Sequence, residues 1–171
     1  MTVQQVLDTI LKAVQDSSPG PRPPSHPDTV DTLKSGDPGA EVTGIVTTFI
    51  ATREVLARAV ALGANLVITH EPTYYGHRDE TAALEGDPVF EAKRAFLRET
   101  GLAVWRFHDF WHQHRPDGIL EGMARRLDWS AYQDAAEPHR FRIPPTTLGD
   151  LAATLKAKLG GTVMRAAGDP A

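Results

Sequence analysis

A chain of 171 residues, 41% hydrophobic and 23% charged, has a globular composition and is long enough to bury a core without disulfides. Its formal charge of −4 at pH 7 excludes a broad electrostatic attraction to nucleic acid or anionic lipid and leaves a small molecule or another protein as partner. There is no cysteine, so a bound metal would take nitrogen or oxygen ligands.

MTVQQVLDTILKAV sets Val3, Val6, Leu7, Ile10, Leu11 and Val14 at helical intervals without a cationic lead, which predicts a surface helix rather than a secretion signal. No apolar run nears the roughly 20 residues that cross a bilayer, so no membrane partner and a cytoplasmic location are expected. SSPGPRPPSHPD (17–28) is too rich in proline and glycine for a helix or central strand, and this composition runs on to residue 40. EVTGIVTTF (41–49) reads as a strand, after which Thr52 caps REVLARAVALG with Gly63 as its stop. NLVIT (65–69) is the next strand, followed by a polar stretch from Glu71 to Gly86 long enough to be a lid over a site. Asp87 and Pro88 open a helix that Gly101 ends, and LAVWRF (102–107) is a third strand. Further on, GILEGMARRL (118–127) is a helix, HRFRI (139–143) a short strand, TTLGDLAATLKAKLG (146–160) a capped helix and TVMRAAG (162–168) a closing strand. Alternating helices and strands predict an α/β fold with parallel strand pairs, read as one domain over 1–171.

Two strand ends carry metal-ligand chemistry. NLVITHEP runs a buried-looking strand into His70 and Glu71, with Pro72 fixing a turn behind them. LAVWRFHDFWH ends on His108 and His112, which one helical turn would place on the same face. Both terminal histidines follow a helix-stopping glycine by seven residues, Gly63 to His70 and Gly101 to His108, so both belong at the carboxyl ends of parallel strands, where open α/β sheets bind ligands. Imidazole with carboxylate suits Zn, Mn, Fe or Ni better than Ca or Mg. Read singly, each pair has a plainer explanation: His70 can end a strand beside a solvated Glu71, and an i, i+4 histidine pair arises by chance in a chain with seven histidines. Asp109 can orient an imidazole or serve a turn. His77 can gate a site or sit exposed in its loop, and His114 and Asp117 read as loop and turn residues.

DTVDTLKSGDPGAEVTGI (28–45), GANLVITHEP, WRFHDFWH and TLGDLAATLKAKLGGTVMRAAGDP together resemble, in order, the dinuclear-metal-centre family of Nif-three-like proteins, also called GTP cyclohydrolase I type 2 homologues. The resemblance covers nearly the whole chain and implies the first half of a three-layer α/β/α Nif-three-like fold with a mixed sheet. His70 matches the family's first ligand histidine, Glu71 stands where it has a second, His108 begins its next motif, and His112 falls where it has an aspartate. The resemblance therefore implies that His70, Glu71, His108 and His112 hold one or two divalent ions, Zn, Mn, Fe or Ni, with His108 also a candidate proton shuttle. It implies a hydrolase using metal-activated water on a small molecule such as a nucleotide, and a homo-oligomer, hexameric in the family. The family's remaining ligands come from a second half that this chain does not resemble. A metal-binding assembly or regulatory protein without turnover is the other reading.

Overall fold

The computed structural model describes residues 1–17 and 28–171, so most of the 17–28 expectation lies outside the described residues. The chain divides into two compact units, Met1–Arg115 and Pro116–Ala171. Unit one contains helix α1 (Val3–Ser17), strand β1 (Leu33–Ser35), β2 (Ile45–Thr48), α2 (Arg53–Ala61), β3 (Leu66–Thr69), α3 (Pro88–Thr100), β4 (Ala103–Arg106) and the short α4 (Asp109–Gln113). The strand order is β1-β4-β3-β2. β2, β3 and β4 are parallel, joined by the crossover helices α2 and α3, while β1 runs antiparallel on β4.

Alternation along the central strands assigns the layers. Val67 and Val104 pack with Leu56 and Ala59 of α2 and Leu97 of α3, whereas Leu66, Ala103 and Trp105 pack with Val3, Val6 and Leu7 of α1. Unit one is thus a three-layer α/β/α sandwich around a mixed sheet. Both crossover helices lie on one face, as two successive right-handed β-α-β turns require.

The predicted helix ends hold. Thr52 caps α2, the Asp87 carboxylate accepts from the Val89 and Phe90 amides, and Gly101 ends α3 in the left-handed conformation at φ 64°. Strand β1 lies between residues 28 and 40, where the sequence pattern marks no element. It exists because it pairs with β4, and the pairing is so close at Gly36 that a Cβ there would meet the Ala103 Cα at 2.5 Å.

In unit two, Asp117 caps α5 (Gly118–Leu127) and Thr147 caps α6 (Leu148–Leu159), which ends on left-handed Gly160. The two strands expected there do not form. Residues 139–143 contribute a single bridge, Phe141 to Gln133, and 162–168 is irregular with Val163 72% exposed. Neither segment has a neighbouring strand to supply a hydrogen-bond ladder, and β-branched composition cannot replace one. Among the described residues no helix is long and apolar enough to cross a membrane.

Candidate metal centre

The parallel register sets the site. Thr69 faces Arg106 across β3 and β4, so His70 leaves the sheet beside Phe107, and His108 lies one residue further on. There the chain turns into α4, with His108 at its N-cap and His112 one turn along; the His112 amide donates to the His108 carbonyl at 3.0 Å. Ring centroids stand 4.6 Å apart for His70 and His108, 4.7 Å for His108 and His112, and 5.1 Å for His70 and His112. One ligand nitrogen from each of the three can be chosen so that all lie within 4.8 Å of one another. Donors about 2.1 Å from a tetrahedral ion stand roughly 3.4 Å apart, so side-chain shifts of up to about 1 Å would bring all three onto one ion.

The hydrogen bonds fix which nitrogens are offered. His70 Nδ1 lies 3.2 Å from the Phe107 carbonyl, which can only accept; Nδ1 therefore carries the proton and Nε2 keeps its lone pair. His108 Nδ1 is 2.9 Å from Asp109 Oδ1. Burial alone would raise the Asp109 pKa, but hydrogen bonds from His108, the Val30 amide and the Thr29 hydroxyl outweigh it and hold the carboxyl at about 2. The ionised carboxylate also accepts only, so His108 likewise presents Nε2. Burial, reinforced by the neighbouring His108, lowers the His70 pKa against the opposing pull of the Phe107 carbonyl. The lowered pKa favours the neutral His70 imidazole, the form that binds metal.

α4 is too short to hold itself. The buried Asp31 carboxylate does so from outside, accepting from the amides of His108 at 2.7 Å, Asp109 at 2.8 Å and Phe110 at 2.9 Å. No local pattern in the sequence singles out Asp31 and Thr29, although both lie in the 28–45 segment that carries the family resemblance.

The structure brings together His70, His108 and His112 of the four residues expected at the site. Glu71 is outside the group of donors; its carboxylate is near enough to act on His70 electrostatically, while its amide donates to the Phe49 carbonyl at 2.8 Å. His77, from the 71–86 loop, comes within 5.4 Å of the His108 ring. His114 stacks on Trp111 at 5.6 Å and lies 3.1 Å from the Ser17 hydroxyl.

Residues 30–171 match the model of the Duf34/NIF3 (NGG1p interacting factor 3) family. The chain belongs to the DUF34/NIF3 family. Solved structures agree on the fold. A Staphylococcus aureus protein, SA1388, is 22% identical with a TM-score of 0.56 over 75% of this chain and 34% of its own. A Bacillus cereus protein related to NIF3 is 17% identical with a TM-score of 0.60 over 76% of this chain and 33% of its own. Reduced HcgD from Methanocaldococcus jannaschii is 17% identical with a TM-score of 0.56 over 76% of this chain and 48% of its own. This DUF34/NIF3 chain thus spans a third to a half of the length of those proteins. No curated protein matches it.

Proposed function

We propose that this chain is a metal-dependent hydrolase of the GTP cyclohydrolase I type 2 kind, holding one divalent ion, Zn, Fe or Ni, on His70, His108 and His112. The observation that carries the reading is the orientation of the donors: His70 and His108 each have Nδ1 fixed by an acceptor, so both offer Nε2 into one small space. Such outer hydrogen bonds are the usual support of metal-ligating histidines. Three protein ligands with a further position open are the pattern of catalytic rather than structural zinc sites. An ion held there would act as a Lewis acid that makes water a better nucleophile near neutral pH.

The protein's own groups would do the rest. Asp109 holds the His108 ring in its ligand tautomer, and Asp31 holds the turn that carries His108 and His112. Glu71, whose carboxylate acts on His70 electrostatically from outside the cluster, is the candidate to take up a proton released by water. This assignment differs from the sequence expectation, in which Glu71 is a ligand and His108 also a proton shuttle. A small-molecule substrate, such as a nucleotide, fits the chain's acidic charge better than a nucleic acid does. Assembly into a homo-oligomer is part of the same reading: β2 is an edge strand, and Ile45 on it and Phe49 and Ile50 just beyond its end are about half exposed.

The test is elemental analysis of the purified chain after chelation and reloading, followed by release of phosphate or ring-opened product from a nucleotide panel. One tightly held equivalent with metal-dependent turnover is expected. One equivalent without turnover on any substrate would favour a metal-binding assembly protein, and no retained metal would refute the centre.

A further inference from the structure

Arg106, the last residue of β4, is 0% exposed and forms no ion pair among the described residues. Its guanidinium is spent on the loop after β3. Nε donates to the His70 carbonyl at 3.1 Å, Nη1 donates to the His77 carbonyl, and Nη2 lies 3.5 Å from His77 Nδ1. A buried guanidinium without a carboxylate is costly, and this one is retained at the sheet edge that carries the three histidines.

Its geometry distinguishes His77 from them. His70 Nδ1 faces a carbonyl and His108 Nδ1 faces a carboxylate, both acceptors, so each ring offers a lone pair at Nε2. His77 Nδ1 faces Arg106, which can only donate. Nδ1 must then be the accepting nitrogen, and the proton of the neutral ring resides on Nε2. A ring in that tautomer offers a donor where the other two offer lone pairs. It stands edge-on to His108 with centroids 5.4 Å apart and an interplanar angle of 76°.

The charges nearby decide what that donor would meet. Three neutral imidazoles leave the charge of a divalent ion uncompensated, and Arg106 adds a further positive charge. The surrounding carboxylates are already engaged: Asp109 by His108, Thr29 and Val30, Asp31 by three amides, and Asp79 by the Thr73 and Tyr74 amides and Lys34. Glu71 is the remaining one beside the cluster.

We propose that His77, set by Arg106, is a hydrogen-bond donor to an oxyanion ligand at the three-histidine centre and is not a fourth metal ligand. The substrate, or the group of it that approaches the ion, therefore carries a phosphate or carboxylate. This rests on the metal-centre reading above and extends it to the class of substrate.

The experiment loads the chain with Co2+ and titrates inorganic phosphate, and then a simple carboxylate, while following the Co2+ visible spectrum. His77→Ala is expected to change Co2+ affinity by less than about twofold and to weaken the oxyanion about tenfold, the loss of one hydrogen bond to a charged group. His77→Gln, which restores an N–H donor, is expected to recover part of that affinity, whereas a purely structural role for the loop would leave oxyanion affinity unmoved in both variants. Binding of phosphate or of carboxylate alone supports the proposal and names the source of the oxyanion. Co2+ affinity that falls more than about tenfold in His77→Ala would make His77 a ligand and overturn the proposal. So would wild-type oxyanion binding that is absent or unchanged by the substitution. Wild-type protein that takes up no Co2+ would instead refute the centre itself.

Discussion

Replacing Asp109 by asparagine tests whether the carboxylate behind His108 supports both the fold and the centre. A carboxyl held at about 2 in the folded chain, against an ordinary 3.8, contributes about 2 kcal/mol of stability once the pH is above both values. The group is 23% exposed, so solvent screening trims that figure only modestly. The sign follows from proton uptake. Between pH 3.8 and 2 the unfolded chain binds the proton first, so the contribution is complete above about pH 4 and lost as pH falls through the folded value. In Asp109→Asn the side chain keeps its shape and one accepting oxygen, but a single oxygen cannot serve His108 on one side and Thr29 with Val30 on the other. Urea unfolding of chelated protein at pH 7 should show Asp109→Asn less stable by about 2 kcal/mol, with the gap closing towards pH 2. Metal affinity at pH 7 should fall roughly 10- to 100-fold, the usual result of removing the outer partner of a ligating histidine. A stability gap unchanged between pH 7 and pH 2, or full metal affinity in the variant, would refute the assigned role.

His70→Ala and His112→Ala should each abolish metal retention after dialysis, read by elemental analysis, while His114→Ala, whose ring is placed by Trp111 and Ser17, should retain it. Because burial and His108 lower the His70 pKa, the unfolded chain takes up that proton before the folded one does. Metal-free protein should therefore lose stability as pH falls below about 6.5, and His70→Gln should flatten that part of the curve in a thermal melt series. Gly36→Ala should cost about 3 kcal/mol, read as a fall in urea midpoint, since the residue sits at φ 90° and its Cβ would overlap the Ala103 backbone.

Much of unit one is legible because its signals are local. β3 and β4 are short apolar runs between a helix-stopping glycine and a histidine, and a capping residue marks the start of α2 and α3. β1 is illegible for the opposite reason. Leu33–Ser35 has no pattern of its own, and only contact with β4 makes it a strand. Residues 139–143 and 162–168 are the converse, β-like in composition with no neighbouring strand to complete a ladder. The candidate site divides in the same way. His70, His108 and His112 can be found because strand ends and a four-residue spacing predict direction. Glu71 and His77 rank differently in the sequence and in the structure, because nearness along the chain is a poor guide to nearness in space. Successive residues of an extended chain leave it on opposite sides, so the residue after His70 is poorly placed to join it. Seven residues on, a loop that looks merely polar is drawn back to His108 by Arg106, which reads in the sequence as one charged residue in an apolar strand. An arginine amid LAVWRF, with no room for solvent, is the signal that the strand end meets something polar across the loop. Its burial at 0% exposure is what turns that loop from a connection into one wall of the site.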